Sequence, residues 1–183
     1  DTSIKKTMNV PDAQLNLGED YKPTKCYTCR PTPLHYMETA DKLLADLMAQ
    51  NVLRESTDTR SEWCSPGHFV AKPNRVPLAL RLVCDFTGLN SYLIRDQPAT
   101  FPTGDDIRKQ LGPECKVWAC MDALSAYYQV KIRPSDVPKT CFIVNNRRFE
   151  FLSTVMGNKL SSDTWLRASD EVTNGLPGVF KLV

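Results

Sequence analysis

Apolar residues recur at two different periods along the chain, and the change of period marks its elements. In PLHYMETADKLLADLMAQ the positions Leu34, Met37, Ala40, Leu44, Leu47 and Met48 fall three and four residues apart. That spacing puts side chains on one helical face. It predicts a helix that starts near Pro33, with Thr32 as its cap. Residues 1–32 carry no sustained period and read as an extended lead-in. From Asn51 to Trp63 the chain is polar, and SPGHFVAKP then offers a turn and a short strand. The stretch LALRLVCDF, from Leu78 to Phe86, is apolar and rich in β-formers, which predicts a buried strand. Gly88 and Asn90 mark the turn after it.

Further on, Thr103 followed by Asp106 is a capping pattern. It opens a short helix with Ile107 and Leu111 on one face and Gly112 and Pro113 as its stop. KVWACMD predicts a strand ending at Asp122, and a short helical segment, ALSAYYQV, follows. CFIVNNRRFEFL predicts a hairpin, because two β-rich runs flank Asn145 and Asn146. SSDTWLRASDEVT predicts a helix with Leu160, Thr164, Trp165, Ala168 and Val172 on one face, ended by Asn174 and Gly175. GVFKLV begins another strand at the last residues, which suggests a fragment. Helices and strands alternate without an even βαβ rhythm, so the expected class is α+β, a mixed sheet with the Asp122 strand at its centre.

Composition narrows the function classes. The 183 residues are 42% hydrophobic and 24% charged, which excludes a disordered tail and fits one domain or two small lobes. No run approaches the roughly 20 apolar residues of a membrane span, and the charged start DTSIKK is no secretion signal. Lys and Arg number 23 against 21 Asp and Glu, a net +2, so any nucleic-acid binding must rest on local clusters. Seven cysteines, several inside apolar runs such as LRLVCDF and VWACMD, read as buried free thiols in a reducing, intracellular compartment. Cys26-x-x-Cys29 and Cys64-x-x-x-His68 have spacings that could supply four zinc ligands. The 34 residues between the two pairs include a whole helix, so no zinc site is expected.

Several segments, in order, resemble the fingers and palm of reverse transcriptases, above all those of gypsy-type LTR retrotransposons. The helix up to NVLRES resembles the fingers helix before the first strand, and RLVCDFTGLN the motif Arg-Leu-Cys-Val-Asp-Tyr-Arg-x-Leu-Asn. CMDALSAYYQVKI resembles the palm motif Leu-Asp-Leu-x-Ser-Gly-Tyr-x-Gln-Ile. PKTCFIVNNRRFEFL resembles the Lys-Thr-Ala-Phe hairpin, and VMGNKLSSDTW stands where the family has Met-Pro-Phe-Gly-Leu, with Val155 at the proline. The likeness spans residues 33–183 and implies a fingers-like region at 33–100 and an incomplete palm-like region at 101–183. The family's Tyr-x-Asp-Asp hairpin does not occur in these residues; the pattern would place it after GVFKLV.

The resemblance implies RNA-directed DNA polymerase chemistry, in which two Mg²⁺ ions about 4 Å apart clamp the attacking hydroxyl and the leaving pyrophosphate. Asp122 matches the first metal-binding carboxylate and Ala123 the backbone carbonyl ligand, since hard cations take oxygen donors. Tyr127 matches the aromatic residue that excludes a 2′-hydroxyl. Arg81 matches a contact to the nucleotide triphosphate, a job that either Lys72 or Arg75 would share, and Gly157 a close backbone approach to the nucleotide. Primer–template nucleic acid and dNTPs are the implied partners. The rest of a polyprotein (thumb, RNase H, integrase) is a further one, in the cytoplasm or a virus-like particle. A second reading is a non-catalytic remnant or a co-opted binding or structural module.

Overall fold

The computed structural model describes residues 7–58, 61–95, 102–111 and 115–181. Its sheet has five strands: β1 (Leu53–Glu55), β2 (Ser65–Ala71), β3 (Leu80–Cys84), β4 (Phe142–Val144) and β5 (Arg147–Phe151). The order is β1-β5-β4-β2-β3, antiparallel at every seam except the parallel pairing of β4 with β2. This is the expected α+β class. All three residues of β4 are buried, as a central strand covered on both faces requires. The hairpin at Asn145 and Asn146 has both residues at positive φ, 50° and 59°. Such a turn matches the twist of its strands and favours asparagine. β1 was not visible as a strand in the sequence, because three residues give no period; its register, Leu53 opposite Phe151, supplies it.

Among the described residues four α-helices accompany the sheet: α1 (Met37–Ala49), α2 (Thr87–Asn90), α3 (Gly104–Gln110) and α4 (Ser161–Thr173). α1 buries Ala40, Leu44 and Leu47 of the predicted stripe, with Met37 and Met48 half-buried, while Leu34 lies before the helix and is exposed. Its start differs from expectation. Pro33 is extended, with ψ 140°, and leads into a 3₁₀ turn at Leu34–Tyr36. Thr32 caps nothing; its hydroxyl donates to Asn145 Oδ1 at 2.5 Å in the hairpin turn instead. α3 has the predicted reciprocal cap between Thr103 and Asp106; Gly112 and Pro113 lie outside the described residues. α4 ends near Asn174 and Gly175, the latter at φ +81°. Its buried residues include Ser161, Thr164 and Ala168, while Trp165 is half-buried and Val172 is exposed. Leu160 and Leu166 are buried as well, and the Trp165 indole packs against the core.

The N-terminal lead-in is a strap joined to the core. Ala13 pairs with Ile132 and Leu17 with Leu93, and both Ala13 and Leu15 are buried. The buried carboxylate of Asp136 fixes the strap by accepting from Leu15 N at 2.9 Å, Arg133 Nε at 2.9 Å and Lys139 Nζ at 2.6 Å.

Two predicted strands are corrected. Residues 116–122 form no strand, and Val117, Trp118 and Met121 are exposed. A strand exists only where a neighbour completes its ladder of hydrogen bonds, and none of the five described strands pairs with this segment. The centre of the sheet is therefore β4 rather than the segment carrying Asp122. Residues 178–181 of GVFKLV are likewise irregular. The predicted helix in ALSAYYQV shrinks to a 3₁₀ turn at Ala126–Gln129.

Candidate nucleotide-binding site

Two sequence-distant segments converge on the loop after β5. Asn90, the last residue of α2, donates from Nδ2 to Gly157 O at 2.8 Å and accepts Lys159 N on Oδ1 at 2.8 Å. A side-chain amide supplies both the donor and the acceptor this clamp needs. Gly157 sits at φ +92°, and a Cβ there would lie 3.4 Å from Cys84 O at the end of β3. The loop thus takes a conformation open to glycine and lies close against β3.

The turn containing Tyr127 meets the same loop from another side. Ser125 adopts a left-handed conformation, and Gln129 Nε2 donates to Leu124 O at 2.7 Å. The Thr154 hydroxyl donates to Tyr127 O, and Thr154 N donates to Val130 O at 2.8 Å. The Tyr127 hydroxyl meets Ser162 Oγ at 3.2 Å, at the start of α4. Tyr128 packs inward, its ring stacked on Phe151, and burial pushes its hydroxyl up to about 12. At the end of β3, Asp85 accepts Thr87 Oγ1 at 2.6 Å and Thr87 N at 3.0 Å, which holds its carboxyl below the usual range.

The other sequence-selected residues spread over the surface. Arg81 is exposed in β3 opposite Val70, and Lys72 is exposed just past β2, where its amide donates to Ala79 O at 2.8 Å. Arg75 is exposed in the turn between these two strands. Asp122 and Ala123 are exposed, ahead of the turn at Ser125. Of Cys26, Cys29, Cys64 and His68, the first two lie beside Cys64, Cys26 N donating to Cys64 O at 2.8 Å and Cys29 packing against its cluster. Among the described residues no group of three or more His, Cys, Asp or Glu is arranged to hold a metal ion. None of the selected residues lines the cleft of about 390 Å³ between the strap and α4, which is edged by Arg95, Asp163 and Arg167.

Sequence reasoning missed Asn90 as a clamp, reading it only as a turn residue. It also missed the buried Asp163, which receives a two-pronged contact from Arg95 at 2.5 and 2.8 Å. Their partners are too distant in the chain for any local pattern to reveal.

No protein-family profile matches the chain. It is 30% identical over 150 residues to the retrovirus-related Pol polyprotein from transposon gypsy of Drosophila melanogaster, covering 78% of this chain and 14% of that protein. It is 28% identical over 146 residues to the Pol polyprotein from transposon opus of the same fly, again covering 78% and 14%. The genome polyprotein of Petunia vein clearing virus matches at 26% over 152 residues, covering 82% of this chain and 7% of its own length. Among solved structures, the foamy viral protease-reverse transcriptase in complex with dsDNA superposes with a TM-score of 0.73 at 15% identity, over 95% of this chain and 35% of that one. The same kind of protein in complex with RNA/DNA hybrid gives 0.72 at 15% identity, over 95% and 22%.

The fold is shared with part of the foamy viral protease-reverse transcriptase. The chain is related to a segment of the Pol polyproteins from transposons gypsy and opus, and it spans 14% of the length of those proteins. Among the described residues no helix is long and apolar enough to cross a membrane.

Proposed function

We propose that the chain is the fingers–palm portion of an RNA-directed DNA polymerase that extends a primer with dNTPs on an RNA or DNA template. The observation that carries this reading is the convergence at residues 153–162. Asn90 from the RLVCDFTGLN segment and Tyr127 from the CMDALSAYYQ segment are both tied to the loop that carries Gly157. Three segments that resemble separate family motifs thus build one surface.

On that surface Gly157 presents bare backbone to a nucleotide, and the Tyr127 ring, held through its carbonyl and hydroxyl, fills the volume a 2′-hydroxyl would need. Arg81 and Lys72, on the β2–β3 hairpin, carry the positive charge for a triphosphate. Asp122 and the Ala123 carbonyl are oxygen donors of the kind Mg²⁺ takes. Among the described residues no group of three or more such ligands gathers there, so they do not make up a two-ion site by themselves, and no step is assigned to an ion. The remaining ligands, the thumb and the RNase H and integrase regions belong to the rest of the Pol protein, in the cytoplasm or a virus-like particle.

The test is primer extension on an RNA template by the Pol protein that carries this segment. Asp122→Asn is expected to lower extension by about a thousandfold or more, as removal of a transition-state electrostatic group does. Tyr127→Ala is expected to raise ribonucleotide incorporation while extension persists. Extension unchanged by Asp122→Asn overturns the assignment. A protein that binds primer–template and extends nothing supports the binding-module reading instead.

A further inference from the structure

The weakest seam of the sheet carries a pair of facing thiols. β2 and β4 are paired at only two positions, Ser65 with Phe142 and Pro66 with Ile143, whereas β2 and β3 are paired at five. This short parallel seam holds the β2–β3 hairpin to the β4–β5 hairpin. One register step before it stand Cys64 and Cys141, with Ser65 N donating to Cys141 O at 2.9 Å. The two side chains pack together in one small cluster with Ile143, and both are buried. Adjacent strands lie about 4.8 Å apart, within the Cα separation a disulfide spans. Cys29 packs over the pair, half-buried at the surface. On its other side Cys64 is held by residues 24–26, since Cys64 N donates to Thr24 O at 2.9 Å and Cys26 N to Cys64 O at 2.8 Å.

We propose that Cys64 and Cys141 form a reversible disulfide that latches the two hairpins together under oxidation by a small peroxide. Cys64 is the attacking sulfur. Its neighbour Cys141 lowers its pKa to about 7, with the Arg148 charge adding to the effect, while Cys64 and then burial push the Cys141 thiol up. The Cys64 thiolate attacks one oxygen of hydrogen peroxide; an S–O bond forms, the O–O bond breaks, and hydroxide leaves and is protonated to water. The Cys141 sulfur then attacks the Cys64 sulfenic sulfur; the S–S bond forms, the S–O bond breaks, and the Cys141 proton leaves with the hydroxide as a second water. Two thiols lose two electrons and two protons, and one peroxide becomes two waters. The proposal is independent of polymerase activity, because it concerns the sheet alone.

The experiment uses the 183-residue chain with Cys26, Cys115 and Cys120 replaced by serine, so that these solvent-facing thiols stay silent. After hydrogen peroxide and alkylation of remaining thiols, intact mass should show the loss of two hydrogens, and peptide mapping should join Cys64 to Cys141. Dithiothreitol should reverse both. The bond closes a long loop, so the thermal midpoint should rise by about 10 °C on oxidation and return on reduction. Cys64→Ser and Cys141→Ala, the latter chosen because a small apolar side chain suits the buried site, should each abolish the mass change. A Cys29–Cys64 bond in its place, an over-oxidised Cys64 without a crosslink, or the same mass loss in Cys141→Ala overturns the proposal.

Discussion

Asp136 shows how a single carboxylate can hold two distant parts of the chain. Burial pushes its pKa up, but hydrogen bonds from Lys139, Arg133 and the Leu15 amide outweigh that, and the net shift is downward. A folded-state value below the unfolded one means the stabilisation is complete above about pH 4, the unfolded carboxylate range, and is lost as pH falls through the depressed folded value. Urea unfolding of the wild-type chain should therefore weaken in acid from about pH 4 downward, with a smaller acid response in Asp136→Asn. At pH 7 the same substitution should cost about 2–3 kcal/mol, below the range for a fully buried pair because Arg133 is partly solvated. Asn90 makes a second residue-scale case. Asn90→Asp keeps the acceptor for Lys159 N and loses the donor to Gly157 O, so it should destabilise by about 1–2 kcal/mol, and Asn90→Ala by at least as much. Equal urea midpoints for Asn90→Asp and the wild type would show that the clamp contributes nothing. Neither role was legible in the sequence, since the partners of Asp136 include Leu15, 121 residues away, and those of Asn90 lie 67 and 69 residues away.

Among the elements, legibility followed the range of the forces that make them. α1, α3 and the Asn145–Asn146 hairpin were legible because their signals are local: an apolar stripe, a reciprocal cap, and two residues that tolerate positive φ. β1 and residues 116–122 were not, because pairing decides a strand and pairing is non-local. The two segments erred in opposite directions for that one reason. Helix α4 and most of its face were legible too, with Leu160, Thr164 and Ala168 buried and Trp165 packed on the core, and only Val172 at its far end is exposed. The β2–β4 seam depends on a close fit. A Cβ on Gly67 would meet Phe142 Cδ2 at 2.9 Å and Ile143 O at 3.2 Å, so Gly67→Ala must push the strands apart. It should cost about 1–3 kcal/mol, as overpacking does. Phe142→Ala, which empties a fully buried site in contact with Phe149 and Phe151, should cost about 3–5 kcal/mol, and half-buried Trp165→Ala clearly less. Thermal unfolding of the three variants orders them; a Trp165→Ala loss equal to that of Phe142→Ala would mean the indole is packed more deeply than described.

For the whole molecule, the decisive quantity is how many anionic ligands the described residues can bring to one place. Asp122 is a single exposed carboxylate beside a backbone carbonyl, and no described cluster adds to it. Two Mg²⁺ ions about 4 Å apart repel strongly, and Mg²⁺ gives up its waters reluctantly, so one carboxylate cannot hold the pair. Its segment is also unanchored by any strand pairing, with Val117, Trp118 and Met121 open to solvent. Catalysis by positioned charge requires that ligand to be fixed beforehand. Nucleic acid would gain little from the chain's bulk electrostatics, because a net charge of +2 releases few counterions. The purified 183-residue chain is therefore expected to give no primer extension with Mg²⁺ or Mn²⁺, on either an RNA or a DNA template. A denaturing gel of labelled primer after prolonged incubation is the measurement. Extension that disappears in Asp122→Asn would show that the missing carboxylates come from elsewhere, such as a second copy of the chain, and that the segment becomes ordered when nucleic acid binds.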